Sequence, residues 1–224
     1  MRLILVRHGD PNYEKDCLTE LGHKQAAIVA ERLMDEGIEE IYSSPMGRAR
    51  QTAAPFAQAS GIKNVQILDF MKEIRYGREE DLYNQDMSPW VGTDRMVNEG
   101  ENLQNPDWQK LPLFIDNTAT IDIQAVQKAS DLWLKTLGYE REGLYYRNIR
   151  KDDSQHTVVL FSHGGSSTAF LSRVLNFPFP LLCASLHIPH TGITILRFDR
   201  SPGKLCLPVI ELMNDGNHLK KLLS

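Results

Sequence analysis

The sequence predicts an α/β fold: a three-layer α/β/α sandwich around a mostly parallel sheet, with an antiparallel hairpin at one edge and an inserted lid-like segment. Three observations lead there. Leu3 to Val6 is short and wholly apolar, the pattern of a strand buried on both faces of a parallel sheet. Strand-like runs then alternate with segments of helical spacing, which implies right-handed crossovers. Finally, Arg7-His8-Gly9, Ser43-Ser44-Pro45 with Arg48, and Ser162-His163-Gly164 each stand just after a strand. In a parallel sheet those points share the carboxyl edge, where α/β folds place their ligands.

The elements follow in order. Thr19 is the N-cap of a helix in which Ala26, Ala27, Ala30, Leu33 and Met34 recur at helical spacing, and Gly37 ends it. Ile38 to Tyr42 reads as a second strand, Gly47 to Ala57 as a second helix, and Val65 to Leu68 as a third strand. From about Tyr76 to Gln155 the alternation stops. This stretch is rich in Asn, Asp, Gln and Glu and holds Trp90, Trp108 and Trp133, which are expected to be packing residues. It is expected to be an irregular excursion over one end of the sheet, apart from an amphipathic helix from Ile121 to Leu137. The sheet resumes at Thr157 to Phe161, with a helix from Gly164 through Leu175. Ile193 to Phe198 and Leu205 to Leu212 flank the turn signal Arg200-Ser201-Pro202-Gly203 and predict the edge hairpin. The expected organisation is a single domain over residues 1–224, with 78–156 as the segment that covers the site.

Composition narrows the partners. The net charge of -4 opposes a general nucleic-acid binder, although a few local arginines can still build a positive pocket. The apolar start, Met1 to Val6, is too short for a signal segment or a membrane span. Cys17, Cys183 and Cys206 are odd in number and widely spaced, giving neither a disulfide framework nor a zinc knuckle, so a reducing cytoplasm is expected. His187-x-x-His190 and His8-x-Asp10 do not supply the three or four converging ligands a metal needs. Those residues are expected to be structural or to line a pocket, and no metal or other cofactor is expected.

Five motifs occur in order: Leu5-Val6-Arg7-His8-Gly9; Leu18-Thr19-x-x-Gly22-x-x-Gln25-Ala26; Ser43-Ser44-Pro45-x-x-Arg48-Ala49-x-Gln51-Thr52-Ala53; Glu73-x-x-Tyr76-Gly77; and Ser162-His163-Gly164-Gly165. An isolated Arg-His-Gly tripeptide means little, but the ordered set over residues 1–77 and 157–198 resembles the histidine phosphatase (phosphoglycerate mutase-like) superfamily. The resemblance implies an imidazole nucleophile at His8, which forms a phosphohistidine and splits one displacement into two. Arg7 and Arg48 would clamp the phosphate through fork-like hydrogen bonds. His163, held protonated by the dianion, and the backbone N–H groups of Gly164 and Gly165 would complete the anion site. Glu73 would protonate the leaving group and then activate water, its pKa raised beside a dianion. Arg50 reads as a surface cation.

The chain also departs from the family pattern. Pro11 and Glu14 stand where a hydroxyl residue and an asparagine are usual, and Gly77-Arg78-Glu79-Glu80-Asp81 replaces a Gly-x-Trp-Glu-Gly run. The late glycine-glutamate-serine segment is missing. The expected activity is therefore hydrolysis of a small phosphomonoester, with selectivity set by residues 78–156. Phosphoglycerate mutase-type transfer and a non-catalytic phospho-ligand sensor are the alternatives. The oligomeric state stays open, a homodimer through the edge hairpin being one form.

Overall fold

The computed structural model describes residues 1–222. The chain folds into two compact units: Met1–Lys72, Gly138–Gly164 and the residues from Ile188 onward form the first, while Glu73–Leu137 and Gly165–His187 form the second.

The first unit contains β1 (Arg2–Arg7), α1 (Glu20–Leu33), β2 (Glu40–Ser43), α2 (Gly47–Ser60), β3 (Val65–Ile67), β4 (Thr157–Ser162), β5 (Ile193–Arg197) and β6 (Val209–Asp215). These six strands make one sheet in the order β6-β5-β1-β4-β2-β3. The pairs β1/β4, β4/β2 and β2/β3 are parallel, and β1/β5 and β5/β6 are antiparallel. The α/β class with a mostly parallel central sheet is therefore as expected. β1 sits inside the sheet, so Leu3 to Val6 are all buried. Ile4 and Val6, Ile41, Val159 and Phe161, and Ile193 and Ile195 project onto one face. There they pack with Val29, Ala30 and Leu33 of α1 and Ala53 and Phe56 of α2. Alternate strand residues facing one way are what lets a single face collect these side chains.

Local chemistry sets the helix ends. Thr19 accepts a hydrogen bond from the Gly22 N–H at 3.1 Å, capping α1. After Leu33 a short 3-10 turn, Met34–Glu36, leads to Gly37 at φ +64°, a conformation that glycine takes without strain.

The edge hairpin differs from expectation. β5 pairs with Val209–Asp215, while Leu205–Cys206 joins a separate ribbon formed by Tyr139–Glu142 and Tyr145–Asn148. Pro208 supplies the reason: lacking an N–H, it cannot continue a ladder, so the run from 205 to 212 splits there. The excursion is also more regular than its composition implies. The ribbon at 139–148 carries Tyr139 and Tyr146 onto Phe198, with ring centroids 4.9 and 5.7 Å away.

The second unit is helical, with α3 (Pro89–Asn98), α4 (Thr118–Thr136), α5, which spans Gly164–Val174 and so begins on the last residue of the first unit's middle segment, and α6 (Phe179–Ser185). α4 starts three residues before the expected Ile121 because Asn117 caps it, accepting from the Ala119 N–H at 3.1 Å. Trp108 and Trp133 are buried packing residues, against Phe114 and Phe179 and against Phe170 respectively. Among the described residues, no helix is long and apolar enough to cross a membrane.

Candidate active site

The register of β1 with β4 pairs Arg7 with Ser162, so the two chains leave the sheet side by side. The His8 N–H donates to the Ser162 carbonyl at 2.8 Å, and the Ser44 N–H to the Phe161 carbonyl at 2.9 Å. Three strand ends thereby bring together Arg7-His8, His163 and Ser44, residues up to 156 positions apart.

His8 is buried, and its Nδ1 lies 2.7 Å from the Gly9 carbonyl oxygen. A carbonyl only accepts, so Nδ1 carries the proton and Nε2 keeps its lone pair. Arg48 Nε donates to that Nε2 at 3.3 Å. Burial, reinforced by Arg48, Arg7 and His190, lowers the His8 pKa to about 3 against the opposing hydrogen bond to Gly9. The ring is thus a neutral imidazole with its lone-pair nitrogen facing an arginine.

The loop after His8 is held by close backbone contact. A Cβ on Gly9 would meet the Gly22 carbonyl oxygen at 2.7 Å, and one on Gly22 would meet the Asp10 carbonyl oxygen at 2.2 Å. The Gly9 N–H donates to Thr52 Oγ1 at 3.0 Å, and the Asp10 N–H to Gln25 Oε1 at 2.7 Å. These contacts give Gly22, Gln25 and Thr52 of the ordered motifs their physical purpose: they seat the histidine loop on the starts of α1 and α2.

Arg48 is 3% exposed, and its Nη1 lies 2.6 Å from Asp16 Oδ1. Asp16 Oδ2 also accepts from the Gly47 N–H at 2.6 Å, capping α2 from a different part of the chain. Met46, the residue before α2, provides no side-chain cap. Asp16 itself sits at φ +46°. Tyr13 places its ring 5.4 Å from the Arg48 guanidinium carbon. Sequence reasoning missed both Asp16 and Tyr13, because a cap delivered from 31 residues upstream leaves no local signal.

The Nη1 of Arg7 donates to the Ile188 carbonyl at 2.5 Å, while its buried Nε has no hydrogen-bond partner among the described residues. The Arg7 guanidinium also lies against Gly164. His163 Nε2 is 2.7 Å from Ser44 Oγ, its ring centroid is 5.1 Å from that of His8, and its buried Nδ1 is likewise unpartnered among those residues. Burial, then Arg48, His8 and Arg7, lowers the His163 pKa well below its ordinary value. Two buried nitrogens left unsatisfied at neighbouring strand ends, with Arg48 close by, form a concentration of hydrogen-bonding capacity suited to an anion. Arg50 is exposed, as expected for a surface cation.

Glu73 belongs to the second unit, whereas Arg7, His8, Arg48, His163 and Gly164 belong to the first. Its Oε1 accepts from the Ile74 and Ser166 N–H groups, each at 3.0 Å. A Cβ on Gly165 would stand 2.5 Å from that oxygen, so the second glycine of the Gly-Gly pair makes room for the carboxylate. Among the described residues, no three His, Cys, Asp or Glu side chains are grouped to hold a metal ion.

The buried imidazoles make stability depend on pH. Both His8 and His163 have folded-state pKa values below the unfolded value near 6.5. The unfolded chain therefore binds more protons at acid pH. This stability is complete above about pH 6.5 and is lost as pH falls towards the folded-state value, about 3 for His8. Each such site costs about 1.4 kcal/mol per pH unit across that window. In phosphate-free buffer the urea midpoint is expected to fall steadily from pH 6.5 to 4, and less steeply in His163→Gln. An equal slope in the two proteins would count against a neutral buried His163.

A mostly parallel sheet that gathers two arginines and two neutral histidines at its carboxyl edge defines a class. The sequence profile of the histidine phosphatase superfamily (branch 1) matches residues 3–105 of this chain. It is 26% identical over 172 residues to phosphoserine phosphatase 1 of Hydrogenobacter thermophilus, covering 73% of this chain and 71% of the relative. It is 25% identical to a probable phosphoglycerate mutase of Serratia proteamaculans, covering 98% and 95%. Among solved structures, a mutant phosphoserine phosphatase from Entamoeba histolytica in complex with phosphoserine superimposes with a TM-score of 0.65 at 25% identity, over 97% of this chain and 98% of that one.

Proposed function

We propose that the chain hydrolyses a small-molecule phosphomonoester through a phosphohistidine on His8, without metal. The observation that carries this is the fixed tautomer of His8: Nδ1–H is committed to the Gly9 carbonyl, so Nε2 is the nucleophile, and burial keeps it unprotonated at neutral pH. Arg7, Arg48, His163 and the Gly164 N–H bind the phosphoryl oxygens. The dianion draws a proton onto His163, whose charge then adds to that of the arginines. As Nε2 bonds to phosphorus the ester P–O bond breaks, and Glu73 gives the leaving oxygen its proton. Glu73 then takes a proton from water as the water attacks the phosphohistidine, which restores neutral His8 and releases phosphate. Substrate selectivity is assigned to residues 78–156. The relatives with phosphatase in their names, and the phosphoserine in one of those structures, favour small phosphorylated metabolites.

The test is turnover of an aryl phosphate in EDTA, quenched under conditions that preserve acid-labile phosphoryl groups and read by mass spectrometry. Turnover with label on His8 is the expected result. Label that forms and persists in water without release would replace hydrolysis by mutase-type transfer, the activity in the name of the Serratia relative. Neither label nor turnover with several phosphoesters would leave a phospho-ligand sensor as the better description.

A further inference from the structure

Thr191 has φ +54°, a left-handed conformation that a β-branched residue adopts only when its surroundings impose it. The imposing contacts lie around the nucleophile. The Thr191 N–H donates to the Arg7 carbonyl at 3.0 Å and to the His8 carbonyl at 3.3 Å, and the Gly192 carbonyl accepts from the Arg7 N–H at 3.3 Å. Thr191 Oγ1 is 3.1 Å from His218 Nε2. Together with the bond from Arg7 Nη1 to the Ile188 carbonyl, these contacts wind residues 188–192 onto the end of β1.

The winding delivers His190. Its ring centroid is 5.6 Å from that of His8, close to the 5.1 Å that separates His8 from His163. Nε2 of His190 is buried, and Nδ1 lies 3.7 Å from Asp10 Oδ1. Asp10 is itself fixed, its Oδ2 accepting from Thr19 Oγ1 at 2.6 Å. The ionisable groups around this corner are Asp10, which favours an imidazolium, and Arg7, His8, Arg48 and His163, which oppose one until an anion arrives.

We propose that His190 is a third imidazole of the phosphate site, donating from Nε2 to an oxygen of the bound dianion as an imidazolium whose charge is balanced by Asp10, 3.7 Å from its other nitrogen. This assignment rests on the site being a phosphate site. It makes His190 a determinant of dianion affinity and adds a proton, taken from solvent on binding, to the one taken by His163. It also gives the strained Thr191 a role: relaxing it would unwind the segment that presents the ring.

The experiment is calorimetric titration of the whole protein with inorganic phosphate at pH 7.5, in two buffers of different ionisation enthalpy, which counts protons taken up. His190→Gln is expected to weaken phosphate binding about 10- to 100-fold, the loss of one charge-assisted hydrogen bond, and to reduce proton uptake. Asp10→Asn is expected to reduce the uptake as well. Aryl phosphate KM should rise more than kcat falls. In case the variants fold poorly, an NMR titration of the wild-type His190 ring should show its pKa rising when phosphate is added. Unchanged affinity and uptake in a folded His190→Gln, or an unmoved ring titration, would overturn the assignment even if His8 is labelled during turnover. Phosphate binding that depends on His190 without any turnover would instead overturn the hydrolase proposal and leave His190 in place. A wild type that binds no phosphate would overturn both.

Discussion

His8→Ala is expected to lower aryl phosphate turnover on the order of 10⁵-fold or more and to remove all acid-labile label. The size follows from the geometry. The proposed covalent catalysis needs a lone pair aimed at phosphorus, and the hydrogen bond of Nδ1 to Gly9 leaves His8 Nε2 with one. His163 is the next imidazole, and its Nε2 lies 2.7 Å from Ser44 Oγ. The arginines and His163 remain in the variant, which should still bind inorganic phosphate. Binding without turnover would separate lost chemistry from a lost fold, whereas turnover within tenfold of wild type would sink His8 as nucleophile.

Arg48→Ala is expected to lower kcat/KM about 10³-fold, the scale seen when a preorganised donor to transition-state charge is removed. Arg48 reaches His8 Nε2 and Asp16 at once, so in the proposed mechanism one guanidinium positions His8 and carries charge to the phosphoryl group. Lysine offers a single charged tip and no fork, so Arg48→Lys should recover little of this loss. Asp16→Asn should cost only about tenfold, since it weakens one charge-assisted hydrogen bond that positions Arg48. Steady-state kinetics on the three variants, with thermal unfolding as the check on folding, decides the matter. Equal losses for Asp16→Asn and Arg48→Ala would mean that Arg48 acts only as a structural ion pair.

Much of the architecture was legible where one local rule governs. Leu3 to Val6 reads as a two-faced buried strand because nothing polar interrupts it, and Thr19 reads as a cap because the residue that needs capping, Gly22, is three positions away. The strand-end clusters were legible because parallel topology alone brings them to one edge. What escaped depends on partners remote in sequence. The break at Pro208 decides which strand Leu205–Cys206 joins, but the ribbon that receives it begins 66 residues earlier, at Tyr139. Asp16 caps a helix that starts 31 residues later, and His190 stands beside His8 next to Thr191, which takes a conformation that threonine itself disfavours. The regular structure inside residues 76–155 was hidden by polar composition, which describes the solvent side of α3 and of the ribbon and says little about their buried sides.

The contact between Gly9 and Gly22 has a kinetic meaning. With backbone pressed against backbone on one side, and the Gly9 and Asp10 amides tied to Thr52 and Gln25 on the other, residues 8–10 have no room to swing. If the proposed two-step displacement holds, the imidazole is its fixed point and the substrate has to be brought to it. Whatever opens and closes during a catalytic cycle has to be sought in other segments, and the nucleophile loop should be among the last parts of the molecule to exchange its amide hydrogens.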